Sequence, residues 1–128
     1  MALTAKWLKA AASAVNEDPA FRDLGSVDVA MGIKVASNAF IVTFSGFSCH
    51  DVKKVKVSEL RDADFVVEMN DKQWEKFLKG RKSGKGLTLT ELDHVESVVK
   101  AGNPRDRLDY LRYHLSLQAF LDAGAKAA

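Results

Sequence analysis

A single cysteine, Cys49, stands in a chain of 128 residues, so no internal disulfide staples it. One lone thiol fits a reducing compartment, which makes a cytoplasmic location the expectation. Proline is nearly absent as well. Only Pro19 and Pro104 occur, and each fits the first turn of a helix. No hydrophobic run approaches the roughly 20 residues of a membrane span. The alanine-rich N-terminus is interrupted by Lys6 and Lys9 with no unbroken apolar stretch before a cleavage site, so no secretory signal is expected. There is no long like-charge tail, no internal repeat and no low-complexity linker. The 19 basic and 17 acidic residues leave a net charge of +2, too little to imply nucleic acid. What the chain does have is 47% hydrophobic residues, enough for one domain, 1–128, to bury a core without staples.

The rest of the chain is organised around residues 63–80, where the hydrophobic period switches from two to about three and a half. Phe65, Val67 and Met69 alternate with Asp64, Val66 and Glu68, the pattern of a strand with one apolar face. Asn70 then offers a side-chain oxygen to a helix start, and Gln73 can reach back to it as in a capping box. Trp74, Phe77 and Leu78 form the apolar stripe of that helix, with Gly80 as its left-handed terminator. A strand that delivers a helix onto its own apolar face builds a two-layer core.

Taken in order, Leu3, Trp7, Leu8, Ala11 and Val15 share one side of a helix over 3–15. Asp18 and Pro19 open a second, short helix through Leu24, closed by Gly25. Val27, Val29, Met31, Ile33 and Val35 then mark a strand, and Ser37-Asn38 a tight turn in which Asn supplies positive φ. The hairpin partner is 39–47, with Phe40, Val42 and Phe44 on one face and Ile41, Thr43, Ser45 and Phe47 on the other. Val55 and Val57 place a third strand at 51–57. The glycine- and lysine-rich run 80–86 reads as an exposed loop. Leu87 to His94 leaves two readings, a short helix capped by Thr90 and carrying Leu92 and Val95, or irregular chain. Val98 and Val99 mark a last strand over 96–101. The final helix runs from Pro104 to about Asp122 with Leu108, Leu111, Leu115 and Ala119 as one stripe, while Tyr110, Tyr113, Leu117, Phe120 and Leu121 widen its apolar surface, and 123–128 fray. The element order implies an α+β domain, a mostly antiparallel five-stranded sheet with helices covering one face.

Several of these pieces, Asn16-Glu-Asp-Pro-Ala-Phe-Arg, Val27-Asp-Val-Ala-Met, Asp64 through Gly80, and Val99-Lys-Ala-Gly-Asn-Pro with its leucine-rich helix, resemble the sterol carrier protein type 2 family. The resemblance covers most of the chain. It implies a five-stranded sheet with helices on one side, and a hydrophobic cavity between them for a fatty acyl chain, acyl-CoA or sterol-like molecule, with the last helix as a cover. Two departures stand out. The basic run followed by Leu-Thr-Leu-Thr-Glu-Leu-Asp-His is longer than the expected link before the last strand, and the chain ends Ala-Lys-Ala-Ala with no peroxisomal tripeptide.

The large apolar groups either fill one core or line such a cavity. In the second case the walls are Val29, Met31, Ile33, Phe40, Val42, Phe44, Phe65, Val67, Met69, Trp74, Phe77, Leu111 and Leu115, and binding is non-covalent, driven by apolar burial. Tyr110, Tyr113 and His114 put polar tips on an apolar helix and are candidates to anchor a ligand's head. No cofactor and no metal are expected, since His94 and His114 lack a third ligand at suitable spacing. Cys49-His50-Asp51 has the residue types of a nucleophilic triad, but neighbours on an extended chain point to opposite sides. Lys79, Arg81, Lys82 and Lys85 put four positive charges in seven residues, without the spacing of a nucleotide-binding loop. They are candidates for weak contact with an anionic membrane surface. Two rivals remain open. One is an enzyme resembling nuclear transport factor 2-like proteins, with His94, His114 or Asp109 buried in the cavity. The other is an interaction or dimerisation module using the last helix.

Overall fold

The alternation at 29–35 forms β1 (Val29–Val35), and its partners set the architecture. In this computed structural model, which describes residues 3–128, β2 is Asn38–Ser45, β3 Ser48–Val55, β4 Phe65–Met69 and β5 Val99–Lys100. The sheet order is β3-β2-β1-β4-β5. Every neighbouring pair is antiparallel except β1 and β4, which run parallel. Register aligns Val29, Met31 and Ile33 with Phe44, Val42 and Phe40, and Met31, Ile33 and Val35 with Phe65, Val67 and Met69. Because side chains alternate across a strand, all these residues share one face, and all are buried.

Helices cover that face. They are α1 (Ala5–Asn16), α2 (Pro19–Asp23), α3 (Asp71–Ser83), α4 (Leu89–Glu96) and α5 (Pro104–Ala127). Thr4 caps α1, Asp18 caps α2 with Pro19 in its first turn, and Asn70 and Gln73 close a reciprocal capping box on α3. Asn16 ties the end of α1 to β3, accepting from the Cys49 amide at 2.7 Å and donating to the Cys49 carbonyl at 3.1 Å. The other face carries a 3-10 turn, Val57–Asp62, which brings the chain from β3 to β4. It crosses at Gly32, where a Cβ would lie 3.2 Å from both Leu60 and Ala63.

The structure moves several boundaries. The β1–β2 turn is Ala36-Ser37, one residue earlier than the Ser37-Asn38 expected, and Ala36 holds the positive φ of 54°. A second tight turn at Gly46-Phe47 starts β3 at Ser48, ahead of the expected 51, and ends β2 before Phe47. Gly80 does not end α3. The helix continues to Ser83 and closes on Gly84, whose φ is +76°, so the basic run is partly helical. Gly80 serves close approach instead, since a Cβ there would sit 2.8 Å from Gly86 Cα. Thr88, with Glu91, forms the capping box of α4, which displaces Thr90 as the cap. α4 ends on Ser97 with φ +52°, which shortens the last strand from 96–101 to Val99–Lys100. α5 continues past Asp122 to Ala127 because Gly124 and Ala125 are buried, Gly124 against the Trp7 ring.

The largest correction concerns the facing of α5. Leu111 and Leu115, expected to face inward, are 44% and 62% exposed, and Leu108 on the same stripe is 64% exposed. The helix instead turns Tyr110, Leu117, Phe120, Leu121 and Gly124 to the core. Both stripes have helical spacing, and the aromatic one takes the interior, where Phe120 meets Phe44 and Tyr110 meets Phe65.

Candidate binding groove

Between the sheet and α5 the space is occupied by side chains. The Phe44 ring meets Phe120 edge-on at 5.3 Å, Phe65 meets Tyr110 edge-on at 5.3 Å, and Phe21 lies 6.4 Å from Phe44. Around these pairs Val29, Met31, Ile33, Phe40, Val42, Val67, Met69 and Trp74 are all buried. The Trp74 indole N–H donates to the Lys34 carbonyl at 2.9 Å, whereas the buried Trp7 Nε1 has no partner among the described residues. Most residues expected to wall a cavity are thus gathered on one face, in contact with the helices. Leu111 and Leu115 are not among them, for they stand on the outer side of α5.

An open groove of about 610 Å³ lies one layer away, between α3 and α4. Phe77 and Leu92, both nearly buried, form its floor, and Leu87 and Val95, 47% and 72% exposed, stand at its sides. Phe77 is the one expected lining residue that reaches this groove. Lys72 and Lys76 on α3, Lys85 in the connection and Glu96 at the end of α4 make its charged rim, with Asn70 and Gln73 at one end. A volume of this size lies within the roughly 300–1,000 Å³ typical of small-molecule sites.

A polar seam beneath the groove fixes its walls. The Arg81 guanidinium grips Asp122 through Nε at 2.7 Å and Nη2 at 3.0 Å, and its Nη1 donates to the Gly86 carbonyl at 3.2 Å. This fork raises the Arg81 pKa, chiefly through the hydrogen bond to Asp122. Gln118 donates to Asp122 and accepts from the Leu89 amide at 2.6 Å. On the far side of α4, Asp93 is buried, accepts from the Val99 amide at 2.7 Å, and pairs with Arg107. Both ends of the α4 segment are therefore tied to α5 or β5.

The Tyr110 hydroxyl is buried against Thr90 Oγ1 at 2.9 Å, and burial raises its pKa. His114 is half-buried, with Nδ1 3.4 Å from the same Thr90 oxygen, and Tyr113 is half-buried under the Arg112 guanidinium. His94 is exposed, and Asp109 is half-buried. Cys49 is buried while His50 is exposed, and burial pushes the thiol up to about 12, which leaves no thiolate for chemistry near neutrality. Of the basic run, Lys79 pairs with Glu75 at 3.1 Å, Arg81 with Asp122, and Lys82 donates to the Ala128 carbonyl at 2.7 Å. Lys85 alone of the four lines the groove. Among the described residues no cluster of three or more His, Cys, Asp or Glu is placed to hold a metal, and no helix is long and apolar enough to cross a membrane.

The order of strands and the helical layer have a counterpart among solved structures. The fold is similar to that of sterol carrier protein 2. A crystal structure of sterol carrier protein 2 superposes with a TM-score of 0.74, at 18% sequence identity, over 98% of this chain and 98% of that one. No protein-family model matches the chain, and no curated protein matches it. The sterol carrier protein 2 likeness covers the whole α+β architecture, the mixed five-stranded sheet and its helices included.

The sequence reading missed the groove's second wall. The signal was present in Thr88-Leu-Thr-Glu91, whose first and fourth residues make a capping box, and in the Gly80–Gly86 pair that folds the connection back on α3. Thr90 distracts from it by being an equally good cap in isolation.

Proposed function

We propose that the chain binds an apolar, lipid-like small molecule non-covalently and carries it, with the α3–α4 groove as the binding site. The observation that carries this reading is the pairing of a sterol carrier protein 2 fold with a groove whose floor and sides are Phe77, Leu87, Leu92 and Val95. Leu87 and Val95 are apolar groups left in water, and a hydrocarbon laid across them removes that surface from solvent. Each buried methylene contributes about 0.8 kcal/mol, so eight contribute roughly 6 kcal/mol before the cost of immobilising the ligand. Micromolar binding corresponds to about 8 kcal/mol net, which a chain of 12 to 16 carbons can approach. The test is titration with a fluorescent fatty acid, followed by displacement with unlabelled lipid. Saturation with displacement supports the reading; a signal that rises linearly and resists every competitor removes it.

A second reading has its own observation. Leu108, Leu111 and Leu115 expose a 3–4 spaced seam of the kind that pairs helices, and a second copy of the chain is its natural partner. Light scattering at about 100 µM, well above the Kd of most specific dimers, decides it. A strict monomer there ends this reading.

A further inference from the structure

We propose that the groove selects a single-chain amphiphile with an anionic head, its tail over Phe77 and Leu92 and its carboxylate or phosphate among Lys72, Lys76 and Lys85. The proposal rests on the groove being a ligand site and adds the chemistry of the ligand.

Charge on the rim is the first reason. Lys72, Lys76 and Lys85 line the groove, and among the described residues none has a salt-bridge partner. Lysines on the neighbouring surface do find partners, as Lys79 does with Glu75. Glu96 is the one acid on the rim, so three positive charges face one negative. An anion arriving there meets a net attraction; a cationic head meets net repulsion.

The capping box supplies the second reason, because it decides which atoms the neutral rim groups have left. Asn70 Oδ1 accepts from the Gln73 amide at 2.8 Å, and Gln73 Oε1 accepts from the Asn70 amide at 2.9 Å. A backbone N–H can only donate, so the oxygen and nitrogen of both side chains are fixed. What remains at each is its NH2. Apart from Glu96, the uncommitted side-chain polar groups of the rim are therefore all donors, and a head rich in acceptors completes them.

A neighbouring hollow of about 360 Å³ provides the third reason. It shares Asn70, Gln73 and Glu96 with the groove and is otherwise bounded by Lys34, Glu68 and Lys100 among its charged residues. Its two lysines and two glutamates cancel, and Lys34 already pairs with Glu68 at 3.3 Å. The hollow offers an anion no net attraction, so the head stays at the lysine rim.

The experiment is displacement of the neutral dye Nile red from the intact chain by four ligands of equal tail: dodecanoate, dodecyl phosphate, 1-dodecanol and dodecylamine. Dodecanoate or dodecyl phosphate is expected to displace the dye at a concentration about tenfold below 1-dodecanol, the scale of a few lysine contacts at a partly exposed site. Whichever of the two anions displaces at the lower concentration identifies the head as carboxylate or phosphate. Lys72→Gln/Lys76→Gln/Lys85→Gln is expected to erase the preference, so that the two anions displace the dye no better than 1-dodecanol does. These lysines are exposed, so the triple variant should fold, and circular dichroism checks it. Lys79→Gln, off the rim, is expected to keep the preference. Equal displacement by anion and alcohol, or a preference that survives the triple variant, overturns the proposal while the lipid-binding reading stands. Displacement by none of the four overturns both.

Discussion

Gly80→Ala separates two accounts of α3 by the sign of its effect on stability. In a helix interior this change normally stabilises by about 1 kcal/mol, because Gly gives up more conformational freedom on folding than Ala does. Gly80 lies inside α3, so propensity alone favours the variant. Packing opposes it. The added Cβ would stand 2.8 Å from Gly86 Cα and 3.4 Å from Gly86 N, both backbone atoms. Ordinary carbon–carbon contact needs about 3.5 to 4.0 Å, so the connection must retreat by roughly 0.7 Å or more. It is not free to do so. The Lys85 and Gly86 amides donate to the Gly80 carbonyl at 3.2 and 3.1 Å, and Arg81 holds the Gly86 carbonyl. Straining three hydrogen bonds worth about 0.5–1.5 kcal/mol each, and overpacking a tight site at about 1–3 kcal/mol, outweighs the propensity gain. The net expectation is a loss of about 1–2 kcal/mol, a Tm lower by roughly 3–8 °C for a domain of this size. Urea and thermal unfolding followed by circular dichroism measure the two. A Tm that rises would mean that the connection yields freely and that the Gly80–Gly86 approach does not shape the groove.

Phe120→Ala removes the ring that meets Phe44 and is expected to cost about 3–5 kcal/mol in the same assay, enough to threaten folding at 37 °C. Leu115→Asp, on the outer side of α5, should leave stability within about 0.5 kcal/mol, and a large loss would contradict the facing of that helix. Arg81→Gln breaks the fork onto Asp122 at a site where the two side chains are 16% and 25% exposed; about 1.5–3 kcal/mol is expected to be lost, measured against Asp122→Asn in a double-mutant cycle. Cys49 should resist a thiol reagent at pH 8 in the native state and react at once in urea. Its folded pKa of about 12 lies above the ordinary 9.0, so the unfolded chain loses the proton first. Stability owed to the neutral thiol is complete below pH 9 and declines as pH rises toward 12, a decline that Cys49→Ala should lessen when the alkaline unfolding curves are compared.

The strand-to-helix corner at Asn70 was legible because period and capping chemistry agree there, and the shared face of β1, β2 and β4 because alternation admits one register with the apolar set inward. The ends of α3 and α4 were not legible. Gly80 and Gly84 are both competent terminators, as Thr88 and Thr90 are both competent caps, and only the return of Gly86 onto Gly80 and the bond from Thr90 to Tyr110 choose between them. α5 misled for a related reason. Its two stripes have the same period, and the choice was made by Phe44, Phe65 and Trp7, residues far away in sequence that offer partners to Phe120, Tyr110 and Gly124. The groove inherits both ambiguities, since one wall is α4 and its rim mixes charges from three segments.

The most direct measurement is an amide and methyl NMR titration of the isotopically labelled chain with dodecanoate. Saturable shifts gathered at Phe77, Leu87, Leu92 and Val95, with the lysine amides of the rim moving alongside, are the expected result. Shifts centred on Met31, Ile33, Phe65 and Val67 would place the ligand beneath the sheet-facing helices and contradict the groove, and no saturable shift anywhere would contradict lipid binding itself.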